Sequence, residues 1–239
     1  MARDVAGPLD ALEAARQRLR PGADDLEGTV FLGGPADLLA AKALPALVPL
    51  VDQGVRLRVR TGLADDLLTG LADGQLDLVI ATQRTRRSGI DYEPLVDEEF
   101  VLVAGSAWAA RIDPEALRTA GAAALTDVPL VAFAEDLPIV RRWFRAVLDT
   151  RVTAAASVVI DDLRGVMTAV IAGAGISVLP RHLAADAIAR GDLVNLHPHG
   201  RAPINTLCLA TRSGQPDRAR ILAVTEQLRR TAPTWPRPT

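Results

Sequence analysis

The chain has 239 residues, 49% of them hydrophobic and 23% charged, and a formal net charge of −2; that suffices for one large globular domain or two small ones and supplies no overall basic field to hold nucleic acid. Aromatic residues make up only 3%, too few for a row of stacking platforms on single-stranded nucleic acid. The single cysteine, Cys208, excludes an intramolecular disulfide, and with no signal-peptide core and no apolar run of membrane-spanning length the sequence reads as a soluble, cytoplasmic protein.

Residues 8–20 read as a short helix, with Pro8 in the first turn, Leu9, Leu12 and Leu19 on one stripe, and Pro21-Gly22 as the stop. GTVFLGG, residues 28–34, reads as a strand ending in two glycines. An apolar helix is predicted over 35–51. Pro45 and Pro49 lie inside it, each removing an intrahelical hydrogen bond at a cost of about 3 kcal/mol if unrelieved, so a kink or two short helices is expected. In VRLRVRTG, residues 55–62, Val55, Leu57 and Val59 alternate with Arg56, Arg58 and Arg60, the pattern of a half-exposed strand at a sheet edge. Leu63, Leu67, Leu68 and Leu71 predict an amphipathic helix over 63–73, stopped by Gly74. LDLVIA, residues 76–81, is apolar enough for a strand buried on both faces. Arg84, Arg86 and Arg87 fall in what reads as a solvated loop.

EPLVDEEFVLVAG, residues 93–105, reads as a strand pair or a bent strand, with Gly105-Ser106 as a crossing point into a second lobe. Asp113-Pro114-Glu115 starts a helix. PLVAF, residues 129–133, opens a second set of strands, and 138–148 is a helix with Val140, Trp143, Phe144 and Val147 inward. SVVIDDLRGVMTAVIAGAGISVLP, residues 157–180, reads as one βαβ unit. Asp161 and Asp162 stand at its helix start, where a carboxylate accepts from free backbone N–H groups. Leu163, Val166, Met167, Val170 and Ile171 form the helix's apolar face, Gly173 and Gly175 end it, and Pro180 stops the second strand. A helix over 182–190, a strand DLVNLHP, a strand INTLCLATR and a helix over 216–230 complete the chain. This order argues for two α/β lobes. In such sheets ligands sit beyond the C-terminal ends of the strands.

Several phrases occur together: D-D-L…V…G-A-G-I-S-V-L-P from Asp161 to Pro180, L-x-x-G-x-L-D-L-V-I from Leu71 to Ile80, and the G-G-x-x-x-L…A-L-P layout that begins at Gly33. Over roughly residues 28–232 the chain thereby resembles the effector-binding domain of LysR-type transcriptional regulators. The resemblance implies an α/β, type II periplasmic-binding-protein fold of two Rossmann-like lobes joined by two crossover strands. Residues 1–27 would be a linker-helix remnant, 28–105 plus 205–232 the first lobe, 106–204 the second, and 233–239 a tail. It also implies a small-molecule effector between the lobes and a homodimer or higher homo-oligomer, paired through the first helix and a second-lobe helix. DNA would be bound only through a helix-turn-helix module, which is not found ahead of residue 28, either by truncation or because the chain is a natural stand-alone sensor. No membrane partner is implied.

The effector-binding positions that the resemblance carries over are Gly34, Pro35, Ala36 and Asp37 at the first helix, Gly62 and Leu63 after the second strand, and Thr82 after the third. In the second lobe they are Phe133, Ala134 and Glu135, beside Asp136, and Asp161 and Asp162. Family members often place Ser or Thr at the first helix, whose free N–H groups suit an anion. Here Pro35 removes a donor and Asp37 would repel an anion, so an Asp37 facing the cleft favours a neutral or cationic effector; the other reading of Asp37 is a helix cap. Leu63 has an alternative as core, and Thr82 as a turn residue. No cofactor, metal or catalytic residue is expected. His182, His197 and His199 lack a zinc-site spacing, and Cys208 reads as a buried, inert thiol. Gly-x-Ser-x-Gly and P-loop signatures are missing, and Gly173 and Gly175 close a helix where a dinucleotide fingerprint would open one. A stand-alone small-molecule binder and an enzyme on the same fold are the alternative functions.

Overall fold

The computed structural model describes residues 26–83, 85, 87–197, 202–215 and 218–235. The expected helix over 8–20, Arg84, Arg86, His199, Pro216 and the tail after Trp235 lie outside the described residues. The chain forms a mixed α/β structure that divides into two compact units. One contains the residues through Val96 together with Thr206–Trp235, the other Asp97–Asn205.

In the first unit, β1 (Gly28–Gly34) lies parallel to β2 (Val55–Thr61) on one side and to β3 (Leu78–Ala81) on the other. Next to β3 runs β9 (Ile204–Arg212), antiparallel to it, with β4 (Ile90–Gly105) beyond β9. Alternation along β1 and β3 builds two cores. Val30, Leu32, Leu78 and Ile80 pack with Leu47, Val224 and Leu228, whereas Val79, Ala81 and Ala210 pack with Leu67 and Leu71. Each such leucine removed from water contributes about 1.5–3 kcal/mol.

Polar ties set the register between these layers. Asp77 donates its backbone N–H to the Phe31 carbonyl at 2.8 Å and accepts from the Phe31 N–H on Oδ2 at 3.0 Å. Arg212 donates to the carbonyls of Leu71 at 2.9 Å and Leu76 at 2.5 Å, tying β9 to the segment that precedes β3. A Cβ on Gly33 would come within 2.8 Å of the Leu76 side chain, so the glycine permits the close approach of the loop before β3.

The proline-bearing helix neither breaks nor splits. It runs as α1 (Ala36–Leu38), a π turn (Leu39–Ala43) and α2 (Leu44–Val51) without interruption. The Leu44 N–H bonds to the Leu39 carbonyl five residues back. This wider turn directly precedes Pro45, which lacks an N–H and crowds the carbonyl four residues earlier. The expected kink is thus replaced by a local change of helical pitch. Among the described residues β2 pairs only with β1, as an edge strand, and its three arginines are exposed. The following helix, α3 (Ala64–Ala72), buries Leu67, Leu68 and Leu71. Leu63 does not belong to that apolar face: it is the residue before the helix and is 63% exposed. Arg87 bonds the Thr69 hydroxyl at 2.8 Å and pairs with Asp65 at 3.4 Å, tying the loop before β4 to α3.

The second unit follows a related plan. β5 (Val131–Ala132) is parallel to β6 (Val158–Val159), and Leu130 bridges in parallel to Ile176 at the start of β7 (Ile176–Pro180). β7 pairs antiparallel with β4, which pairs antiparallel with β8 (Leu193–Asn195). What reads as a strand pair at 93–105 is one 16-residue strand, and the chain passes from the first unit to the second inside it. Helices packed around this sheet include α4 (Ser106–Ala109), α5 (Pro114–Ala120), α6 (Pro138–Val147) and α7 (Leu163–Ile171). α8 (Arg181–Arg190) follows β7 and closes at Gly191, φ 81°. Asp113 caps α5 by accepting from the Glu115 N–H at 2.9 Å. Trp143 is fully buried and donates its indole N–H to the Phe100 carbonyl at 3.0 Å. On α7 only Val166 and Val170 are buried, while Ile171 turns outward at 38% exposure. α9 (Ala219–Thr231) belongs to the first unit and starts three residues later than the sequence pattern suggests. Among the described residues no helix is long and apolar enough to cross a membrane.

Candidate functional site

In both units the sequence-predicted positions fall at or just beyond the ends of parallel strands. In the first unit β2, β1 and β3 are neighbours in one parallel array, so Gly62 and Thr82, which follow β2 and β3, and Gly34, which ends β1, stand at three adjacent strand ends. Together they make one rim. Pro35 follows Gly34 and stands as the residue before α1, extended at φ −61° and ψ 137°, with no side-chain cap. Asp37 is therefore not the cap. It lies inside the first helical turn and is buried, where the positive end of the helix favours a carboxylate. Gly62 and Leu63 join β2 to α3, and the exposed Leu63 side chain is an apolar element of this rim, not of the core. Thr82 is half-buried.

In the second unit the parallel pair β5–β6 places Phe133, Ala134 and Glu135 after one strand and Asp161 and Asp162 after its neighbour. The two aspartates separate in role. Asp162 caps α7, accepting from the Arg164 N–H at 2.9 Å, and its carboxylate is held by the Arg164 guanidinium at 2.7 Å. That side-chain hydrogen bond holds the Asp162 carboxyl below the ordinary carboxylate range. Asp161 is exposed, as are Glu135 and Asp136. None of these three carboxylates takes part in an ion pair among the described residues, which leaves this rim acidic.

One feature of this rim carries no signal in the sequence. Leu137, which ends the loop after β5, holds a left-handed conformation at φ 52° while its side chain is fully buried. Its N–H donates to the Ala134 carbonyl at 3.0 Å. A buried leucine held in this region costs of order 1–3 kcal/mol and persists only where its surroundings over-determine it. The core around Val140 and Trp143 fixes the side chain, and the backbone of the Phe133–Asp136 loop is set in consequence.

His197 stacks edge-on against Trp143 with ring centroids 5.7 Å apart. His182 sits at the start of α8, buried, with Nδ1 3.2 Å from the Glu98 carboxylate. Cys208 is buried in β9, as the sequence suggests.

Comparison with known proteins fits this geometry. The family model of the LysR substrate binding domain matches residues 23–233. The chain is 39% identical over 239 residues to the HTH-type transcriptional regulator AbaB of Streptomyces antibioticus, covering 98% of this chain and 79% of that protein. It is 27% identical over 223 residues to the HTH-type transcriptional regulator PtxR of Pseudomonas aeruginosa, covering 92% of this chain and 70% of that one. Among solved structures, the C-terminal domains of a LysR family protein from Agrobacterium tumefaciens superpose with a TM-score of 0.73 at 21% identity, covering 88% of this chain and 99% of that one. Full-length LysG from Corynebacterium glutamicum, with bound effector Arg, gives 0.72 at 16% identity over 99% of this chain and 77% of that one. The chain belongs to the LysR substrate binding domain family and is the effector-binding domain of a LysR-type transcriptional regulator.

Proposed function

We propose that the effector is neutral or cationic and that the effector-binding positions are Gly34 to Asp37, Gly62, Leu63 and Thr82 in the first unit and Phe133 to Glu135, Asp161 and Asp162 in the second. The observation that carries the charge assignment is the first turn of α1. Pro35 has no N–H to offer, and a buried carboxylate, Asp37, occupies that turn. An anion placed there would lose a donor and meet a negative charge. The exposed carboxylates Glu135, Asp136 and Asp161 point the same way. The working molecule is a cytoplasmic homo-oligomer that reaches DNA through a separate helix-turn-helix module and has no catalytic role. Effector binding biases its conformation only in so far as the effector binds one state better than another.

The test is a thermal-shift panel of amines including arginine, neutral aromatics and carboxylic acids, with each stabilising compound recovered and analysed. A cation or neutral compound at a hundredfold excess over its Kd should add about 2.7 kcal/mol of stability and be recovered unchanged. Asp37→Asn should weaken a cation and leave a neutral compound nearly unaffected. Stabilisation by acids alone would overturn the charge assignment, and recovery of a converted product would replace sensing by catalysis.

A further inference from the structure

Between the start of β4 and α9 opens a groove of about 440 Å³, lined wholly by residues of the first unit. It lies at the opposite end of that unit's sheet from Gly34, Gly62 and Thr82. β9 pairs with β3 as Val79↔Ala210 and Ala81↔Cys208, so Thr211 stands beside the start of β3, whereas Thr82 follows its end. The volume falls within the range of about 300–1,000 Å³ that small-molecule sites occupy.

Most polar groups of the lining are already matched. Arg229 pairs with Glu93, Asp91 accepts from the Ser213 hydroxyl at 2.8 Å, and Arg212 donates to two backbone carbonyls. The Gln215 side-chain oxygen is closed to solvent and adds nothing to the open lining. Two hydroxyls remain. Thr225 lines the groove from α9 and is only 8% exposed. Thr69, Thr119, Thr168 and Thr231 each donate to the carbonyl four residues back in their own helices, the usual recourse of a helical threonine. Thr225 does not, and its hydroxyl has no partner among the described residues. Thr211, half-buried at the end of β9, presents a second hydroxyl in the same condition.

These groups select a ligand class. A hydroxyl donates and accepts at once, so two of them on one groove fit a molecule that carries hydroxyls of its own. Arg218, the residue before α9, adds guanidinium donors, and Leu222, 51% exposed, adds an apolar surface. Guanidinium and carboxylate groups both line the groove, so the lining favours neither an anion nor a cation. We propose that the groove is a second ligand site for a neutral polyhydroxyl molecule of monosaccharide size. Its hydroxyls exchange hydrogen bonds with Thr211 and Thr225, another accepts from Arg218, and its C–H face lies on Leu222. The site shares no residue with the effector-binding positions proposed above.

The experiment is an NMR titration of the isotopically labelled chain with three probes: myo-inositol, cyclohexanol and inorganic sulfate. Myo-inositol should produce saturable shifts concentrated at Thr211, Leu222 and Thr225. Cyclohexanol, which keeps the ring and one hydroxyl, should bind roughly tenfold more weakly, and sulfate should also bind more weakly than myo-inositol. Thr225→Val keeps the branched shape and breaks no hydrogen bond among the described residues. The variant should fold as the parent does, bind myo-inositol about tenfold more weakly and bind cyclohexanol nearly as before. Thr211→Val makes the same test from β9. Absence of saturable shifts at these positions, cyclohexanol or sulfate binding as tightly as myo-inositol, or parental affinity for myo-inositol in either valine variant would each overturn the proposal.

Discussion

At the scale of single residues, the two glycines after α7 do different work, and substitution separates them. Both have positive φ, 92° at Gly173 and 147° at Gly175. A Cβ on Gly173 meets no heavy atom within 4 Å, whereas one on Gly175 would lie 2.1 Å from the Pro129 carbonyl oxygen. Gly173→Ala should therefore cost about 1 kcal/mol, the penalty of the backbone conformation alone. Gly175→Ala must also displace the chain that feeds β5, and should cost roughly 2–4 kcal/mol. Urea denaturation of the two variants checks this, and equal costs would refute the packing argument. Asp162 offers a test in pH. Its carboxyl is held low by Arg164, so the folded chain binds that proton less readily than the unfolded chain does. The resulting stability is present above the unfolded carboxylate value of about 3.9 and is lost as pH falls through the lowered folded value. The pair is partly exposed, so solvent screens it and the effect is modest. Asp162→Ala should cost about 1 kcal/mol at pH 7 as a lost cap, and the difference from the parent should shrink in denaturation curves recorded towards pH 3. A constant difference across that range would mean the charge contributes nothing.

At the scale of elements, the network around Arg212 is the most exposed to a single change. Its guanidinium satisfies two carbonyls and lies 4.0 Å from Asp77, whose carboxylate holds the Phe31 N–H. Arg212→Met keeps most of the volume but leaves those acceptors without this donor, so a loss of about 2–4 kcal/mol is expected. A loss under 1 kcal/mol by calorimetry would show that water replaces the guanidinium freely. These long-range ties explain what the sequence discloses and what it hides. The alternation in VRLRVRT, the continuous LVIA run and the Asp-led start of α7 are local patterns, and β2, β3 and α7 occur where those patterns lie. Pro45 also signals a perturbation, but whether a helix kinks or widens depends on the packing of Leu39 and Leu47 into a common core, which is tertiary. β5 and β6 shrink to two residues each because their pairing is limited by the partner strand and not by the length of the apolar run. The positions after each strand could be named in advance because rim residues follow from strand order. The left-handed Leu137 could not, since leucine has no preference for that conformation and only the assembled core imposes it.

At the scale of the whole molecule, the exposed apolar residues of the first unit form a patch that the proposed homo-oligomer would cover. Val48 is 54% and Val51 48% exposed on α2, and α2 packs beside the edge strand β2, where Val59 is 38% exposed. Single exposed valines need no explanation, but three on adjoining elements beside an unpaired strand edge are a liability that a partner would remove. The resemblance to LysR-type domains implies a subunit contact through the first helix, and the proposed homo-oligomer would use this patch. On this basis Val51→Asp, a change to a half-exposed helix-end position, should leave unfolding stability within about 0.5 kcal/mol of the parent chain. Burying its unpaired charge in an interface would cost several kcal/mol, enough to shift assembly strongly towards the monomer. Sedimentation velocity on the parent chain and the variant decides the matter. A parent dimer that becomes monomeric in the variant assigns α2 to the interface. A parent chain that sediments as a monomer at high concentration removes the proposed assembly, and a variant that stays dimeric moves the contact away from this helix.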